Sequence, residues 1–160
     1  FEFAKKALPE LLALQKGEKK KIRALYFEGI QGIRQILHYG LKEIKGKEVV
    51  GFAAYNTEQI SPELLGYFEE YNAKLKNWGI SIRAIAPDHP SLKKYRERDE
   101  EFRRDIKVVS FDKYSSETSM EIAGSIVRIM DLKNLQGIAI DNSVVAKTMR
   151  EIFEMVWQKC

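Results

Sequence analysis

The sequence predicts an α/β fold, a mixed sheet flanked by helices, and three observations carry that expectation. The first half alternates apolar runs rich in β-formers with stretches whose apolar residues recur at helical spacing. The second half holds three short strand-like runs separated by turn residues and closed by one helix, a β-meander rather than a further strand–helix unit. At 160 residues and 44% hydrophobic, the chain is long enough for one core and short for two. The expected organisation is a single α/β domain over residues 19–160, preceded by residues 1–18 as the end of a linker or dimerisation helix and a short helix.

Each element has its own grounds. In residues 1–14, Phe1, Ala4, Leu8, Leu11 and Leu12 make one apolar stripe, and Pro9, which lacks an amide hydrogen, divides it into a helix end and a short helix. Such a segment suits either an interdomain helix or one that packs on its own domain. Residues 21–27 form a β-rich run, followed by a helix over 29–44 with Ile30, Ile33, Ile36, Leu37, Leu41 and Ile44 on one face. Gly40 weakens that helix and Gly46 stops it. The continuous apolar run 48–55 reads as a buried strand. Ser61 caps, and Pro62 opens, a long helix carrying Leu64, Leu65, Phe68, Tyr71, Leu75 and Trp78 as far as Gly79. A third strand spans 80–86, closed by Pro87 and Pro90. Residues 91–105 read as a highly charged surface helix and 106–111 as a fourth strand. The meander occupies 119–123, 126–131 and 136–140, with turns at Ala123-Gly124-Ser125 and Lys133-Asn134. Ser143 then caps a final helix with Val144, Val145, Met149, Ile152, Phe153, Val156 and Trp157 along its apolar side.

Charge and cysteine usage narrow the function. The net charge of +4 is mild. The clearest basic run, residues 16–23, reads as a solvated connector, because a dedicated DNA-binding domain concentrates its Lys and Arg on one element. The single cysteine, Cys160, is the last residue, so neither an internal disulfide nor a cysteine metal site is available, which fits a reducing cytoplasm. No apolar stretch reaches the roughly 20 residues of a membrane span and no signal-peptide pattern is present. The expected location is therefore cytoplasmic, with no membrane partner. The chain opens on Phe rather than Met, which reads as a fragment of a longer protein.

Tests for catalytic machinery come back empty. There are two histidines: His38 lies inside a predicted helix, where packing explains it, and His89 follows the third strand in Asp88-His89-Pro90. No G-x-S-x-G elbow, Walker-type loop, G-x-G-x-x-G or H-E-x-x-H occurs. Paired carboxylates such as Glu69-Glu70 fall on charged helix faces. No catalytic, cofactor-binding or metal-binding residue is expected, and a binding or regulatory module is favoured over an enzyme. If the strands run in parallel, their ends gather Glu28, Gly29, Asn56, Thr57, Asp88 and His89 into a polar ring suited to a small ligand.

The segment Tyr26-Phe27-Glu28-Gly29-Ile30-Gln31-Gly32-Ile33 resembles the strand-to-helix signature Y/F-x-G-x-x-G-I of the C-terminal effector domain of TrmB-like transcription regulators. Leu8-Pro9-Glu10-Leu11-Leu12-Ala13-Leu14 is similar to the family's junction between linker helix and effector domain. Gly137-Ile138-Ala139-Ile140-Asp141-Asn142, with Met149-Arg150, Ile152-Phe153-Glu154 and Trp157, is similar to its closing strand and helix. The resemblance implies a sensor domain of phospholipase D-like fold, a homodimer, a small effector such as a sugar or other metabolite, and DNA contact only through an N-terminal winged helix outside this chain. Phospholipase D enzymes use H-x-K-x-x-x-x-D. Neither His38 nor His89 has a lysine two positions on, and the corresponding hairpin, Met120-Glu121-Ile122-Ala123-Gly124-Ser125, has no histidine. The expected sandwich is thus one without the catalytic motif. An inert dimerisation module, and more remotely a degenerate phosphodiesterase, are the alternatives.

Overall fold

A computed structural model describes residues 21–160. In chain order it contains β1 (Arg23–Glu28), α1 (Gly29–His38), β2 (Glu48–Phe52), α2 (Pro62–Asn77), β3 (Ser81–Pro87), α3 (Lys93–Arg96), β4 (Arg104–Val109), β5 (Ser119–Ala123), β6 (Ile126–Asp131), β7 (Gln136–Asp141) and α4 (Ser143–Trp157). The seven strands form one mixed sheet in the order β1-β7-β6-β5-β2-β3-β4. β2, β3 and β4 pair in parallel, and every other pairing is antiparallel.

Both faces of the sheet are covered. α1 and α2 bury Ile33, Ile36, Leu64 and Leu75 against Val49, Ile82 and Ala139 on one face. α4 buries Ala146 and Phe153 against Val50, Ile85, Ile122 and Val127 on the other. Successive residues Val49 and Val50 enter opposite clusters, which is why β2 reads as an unbroken apolar run. Ser61 caps α2 as its sequence indicates, accepting from the Leu64 amide at 3.3 Å. The segment expected to be a linker helix, residues 1–18, lies outside the described residues.

Several sequence expectations are corrected. The helix expected over 29–44 ends at His38: Gly40 turns at φ +68 and a separate 3-10 turn, Leu41–Ile44, follows. A β-carbon at Gly40 would lie 2.0 Å from Ile126 Cδ1, so hairpin packing requires the break. The cap of α4 is Asn142 rather than Ser143; its side chain accepts from the amides of Val144 and Val145, each at 3.0 Å. The charged helix expected over 91–105 is reduced to a 3-10 turn, Pro90–Leu92, and the four residues of α3. Turns then wrap the buried Arg104, whose Nε donates to Asp99 Oδ1 at 2.9 Å and whose guanidinium lies 3.7 Å from the Tyr95 ring centre. A side chain that must be surrounded on several sides prevails over local helix propensity. Strand limits shift accordingly: β2 stops at Phe52 instead of residue 55, β4 ends at Val109 instead of 111, and Pro87 still pairs within β3.

One charge lies in the middle of this structure. Arg128 on β6 is 1% exposed. Its Nε donates to Glu121 Oε2 on β5 at 2.6 Å, its Nη1 donates to the carbonyls of Ile36 and Leu37 at 3.3 and 2.9 Å, and its Nη2 reaches Tyr71 Oη on α2. The carbonyls belong to the last turn of α1, where the helix presents unsatisfied acceptors and partial negative charge. Burial would push the guanidinium pKa down, yet Glu121 and Tyr71 hold it above its ordinary value, so the ion persists. Burial raises the Tyr71 phenol well above its usual value and keeps it protonated. Glu121→Leu should cost about 3 kcal/mol in urea unfolding by leaving Arg128 without its counter-ion, and Glu121→Leu/Arg128→Met should recover most of that loss.

Candidate functional site

Three parallel strands end side by side, at Phe52, Pro87 and Val109, and the segments that leave them pack an aromatic cluster over those ends. Tyr55, His89 and Phe111 meet there. The ring centres are 4.6 Å apart for Tyr55 and His89, 5.0 Å for Tyr55 and Phe111, and 5.3 Å for His89 and Phe111. Tyr114 fixes the outer loop by donating to the carbonyl of Ala53 at 3.0 Å, and the Tyr55 amide donates to the Ser116 carbonyl at 3.1 Å. Tyr55 Oη donates to Glu117 Oε1 at 3.1 Å, and desolvation together with this carboxylate pushes the phenol pKa up, so Tyr55 stays a donor.

The hydrogen bonds around His89 define its tautomer. Its Nδ1 accepts from the Ser91 amide at 3.2 Å and lies 2.8 Å from Ser91 Oγ, which itself accepts from the Asn56 amide at 3.0 Å. With one donor spent on it and a hydroxyl beside it, Nδ1 is the acceptor and Nε2 carries the hydrogen. The Nε2–H and the side-chain amide of Asn56 have no partner among the described residues. The cluster therefore presents aromatic rings, a ring N–H and a carboxamide at one end of the sheet. Exposed Thr57 and Asp88 stand at its rim, Asp88 held by its amide to the Val109 carbonyl at 2.8 Å.

Of the six residues expected in one polar ring, Asn56, Thr57, Asp88 and His89 fall at this end of β2 and β3, whereas Glu28 and Gly29 do not join them. The meander is inserted between β1 and β2 in the sheet, so β1 lies four strands away, roughly 19 Å at ordinary strand spacing. Glu28 is exposed and makes no side-chain cap on α1. Gly29 turns at φ +74 and its amide donates to the Leu135 carbonyl at 2.8 Å, which makes it a structural turn against the second hairpin. Sequence reasoning missed Tyr55, Ser91, Phe111 and Glu117, because it counted Tyr55 and Phe111 as strand residues and Ser91 as helical. The aromatic residue at the expected end of each of those two strands was the available signal.

No protein-family profile matches the sequence, and no curated protein matches it. A solved structure does: that of TrmBL2, an archaeal chromatin protein described as showing a novel mode of DNA binding. The two share a fold. The match covers 99% of this chain and 61% of TrmBL2, with a TM-score of 0.52 and 18% identity, so the chain spans about three fifths of the length of TrmBL2. Among the described residues, no helix is long and apolar enough to cross a membrane, and no group of three or more His, Cys, Asp or Glu is placed to hold a metal ion.

The second histidine is part of the packing. His38, the last residue of α1, stands edge-on to Tyr71, with its Nδ1 3.3 Å from Lys74 Nζ and its buried Nε2 without a hydrogen bond. Desolvation, reinforced by Lys74, lowers its pKa from 6.5. The unfolded chain then takes up the proton first, so the contribution of neutral His38 is complete above about pH 6.5 and is lost as pH falls through the folded-state value. Urea midpoints at pH 7 and pH 5 should therefore differ more for the wild type than for His38→Gln; equal differences would remove His38 as the cause.

Proposed function

We propose that this chain is the regulatory domain of a TrmB-like transcription regulator, in which a small effector bound at the ends of β2 and β3 controls DNA binding by a winged-helix part elsewhere in the protein. The shared fold with TrmBL2 over nearly the whole chain is the observation that carries this reading. The mixed sheet enclosed by helices also agrees with the phospholipase D-like sandwich that the family resemblance implies. The effector is a sugar or other metabolite with hydrogen-bonding groups on one side and a face that stacks on Tyr55 or Phe111. It acts by preferring one arrangement of the domain over another, since a ligand with equal affinity for both shifts nothing.

The same domain serves as a dimer module. α4 leaves Val144 and Met155 exposed at 70% and 69% on the side of the helix away from the sheet, with Ile152 exposed at 44% beside them. A second copy of the chain is the occupant that fits a regulator reading paired DNA sites. Sedimentation should show a dimer for the wild-type chain and a monomer for Val144→Lys/Met155→Lys; a monomeric wild type would remove this part of the reading.

A thermal-shift screen of sugars, nucleosides and organic acids tests the sensor function. At least one class should raise the melting temperature of the wild type by several degrees and leave Tyr55→Ala/Asn56→Ala unmoved. The absence of any shift in the wild type, or an equal shift in the variant, would defeat the proposal.

A further inference from the structure

The opposite ends of the same strands carry a different chemistry. The turn before β2 holds Lys45, Gly46 and Lys47; the turn before β3 holds Trp78 and Gly79; β4 is entered through Arg103. Backbone bonds tie these turns into one edge: the Gly46 amide donates to the Trp78 carbonyl at 2.8 Å, the Ser81 amide to the Lys47 carbonyl at 3.2 Å, and the Ile82 amide to the Arg103 carbonyl at 3.1 Å. A β-carbon placed on Gly79 would meet Arg103 Nη1 at 3.7 Å and Gly46 Cα at 4.0 Å, so the guanidinium lies over the second turn and the first turn packs beside it.

The half-buried Trp78 organises the cations. Lys45 Nζ lies 4.5 Å from its ring centre and Lys74 Nζ 6.0 Å, which holds two flexible ammonium groups near one indole. Lys42, Lys45, Lys47 and Arg103 form no ion pair among the described residues. Most neighbouring carboxylates are already engaged: Glu48 with Arg83, Glu101 with Arg98 and Lys76, Asp99 with Arg104, and Asp141 with Tyr39 and Ser125. Glu43, Glu100 and Asp105 are acids near this edge without an ion pair among the described residues, and the partners of Asp141 are neutral hydroxyls. Lys45, Lys47 and Arg103 are thus cations without ion pairs among the described residues, and Trp78 holds Lys45 in place.

We infer that this edge, centred on Lys45, Lys47 and Trp78, is a contact for the phosphate backbone of duplex DNA, made by the regulatory domain itself. A row of turns with fixed cations matches a polyanion with closely spaced phosphates, and it positions without reading sequence. The contact goes beyond the sensor reading, in which DNA is held only by a winged-helix part, and does not depend on an effector. It leaves the aromatic cluster at the other strand ends free while DNA is bound.

Fluorescence anisotropy of the 160-residue chain with a labelled 30-base-pair duplex tests this, with Lys45→Glu/Lys47→Glu against Lys93→Glu/Lys94→Glu, an equal charge change beyond the other end of β3. Circular dichroism melts establish that both variants are folded. The wild type should bind with an affinity that falls as salt rises. The Lys45/Lys47 variant should bind at least about tenfold more weakly with a salt slope reduced by about two, and the Lys93/Lys94 variant should stay within about threefold of the wild type. Absence of wild-type binding at low salt, equal loss in both variants, or binding to phosphatidylglycerol vesicles but not to the duplex would overturn the inference.

Discussion

The structure turns on the ion held inside it. Arg128 joins four pieces of backbone that the sequence separates widely: β6 on which it sits, β5 through Glu121, the end of α1 through two carbonyls, and α2 through Tyr71. A hydrophobic layer alone fixes the distance between helices and sheet but allows α1 and α2 to slide, because dispersion is not directional. A guanidinium has planar donors in a rigid fork, and each of its partners here accepts along a defined line. The register of the helical layer on the sheet follows from that fork, at the cost of a desolvated charge that an apolar residue would not carry.

From this layer the division of the sheet into two working edges follows. With α1 and α2 on one face and α4 on the other, the ends of β2, β3 and β4 are reached by the turns that enter and leave them. At one end the segments leaving β2, β3 and β4 collect aromatic rings, the His89 imidazole and a carboxamide. At the other, the turns entering the same strands collect ammonium and guanidinium groups around Trp78. The two edges are joined by the same three strands, β2, β3 and β4.

Much of the fold was legible in the sequence and part of the site was not, for reasons that can be named. Periodicity located every strand and the main helices, because each strand has one face less exposed than the other or is buried on both, and even β1 alternates half-buried Leu25 and Phe27 with exposed neighbours. It overran at Gly40, where a glycine tolerable in a helix is forced into the left-handed region by the hairpin beside it. It failed over residues 91–105, where the charges that look like a solvated helix include Arg104, which is buried, and Asp99, which pairs with it. Arg128 lies in an unremarkable β-meander, and only the third dimension shows what it bonds. The ring of six expected site residues rested on parallel strands lying next to one another; four of them do gather, and the meander between β1 and β2 removes Glu28 and Gly29. Within residues 26–33 the chain passes from β1 into α1 at Gly29, whose amide donates to the Leu135 carbonyl of the second hairpin.

The most direct test is an NMR titration of the isotopically labelled 160-residue chain with the metabolites that raise its melting temperature. The account predicts amide shifts concentrated in residues 53–57, 88–91 and 111–117, with weaker changes along β2 to β4 and none centred on Glu28 and Gly29. Shifts centred on Glu28 and Gly29, or spread evenly with no focus at the strand ends, would contradict it.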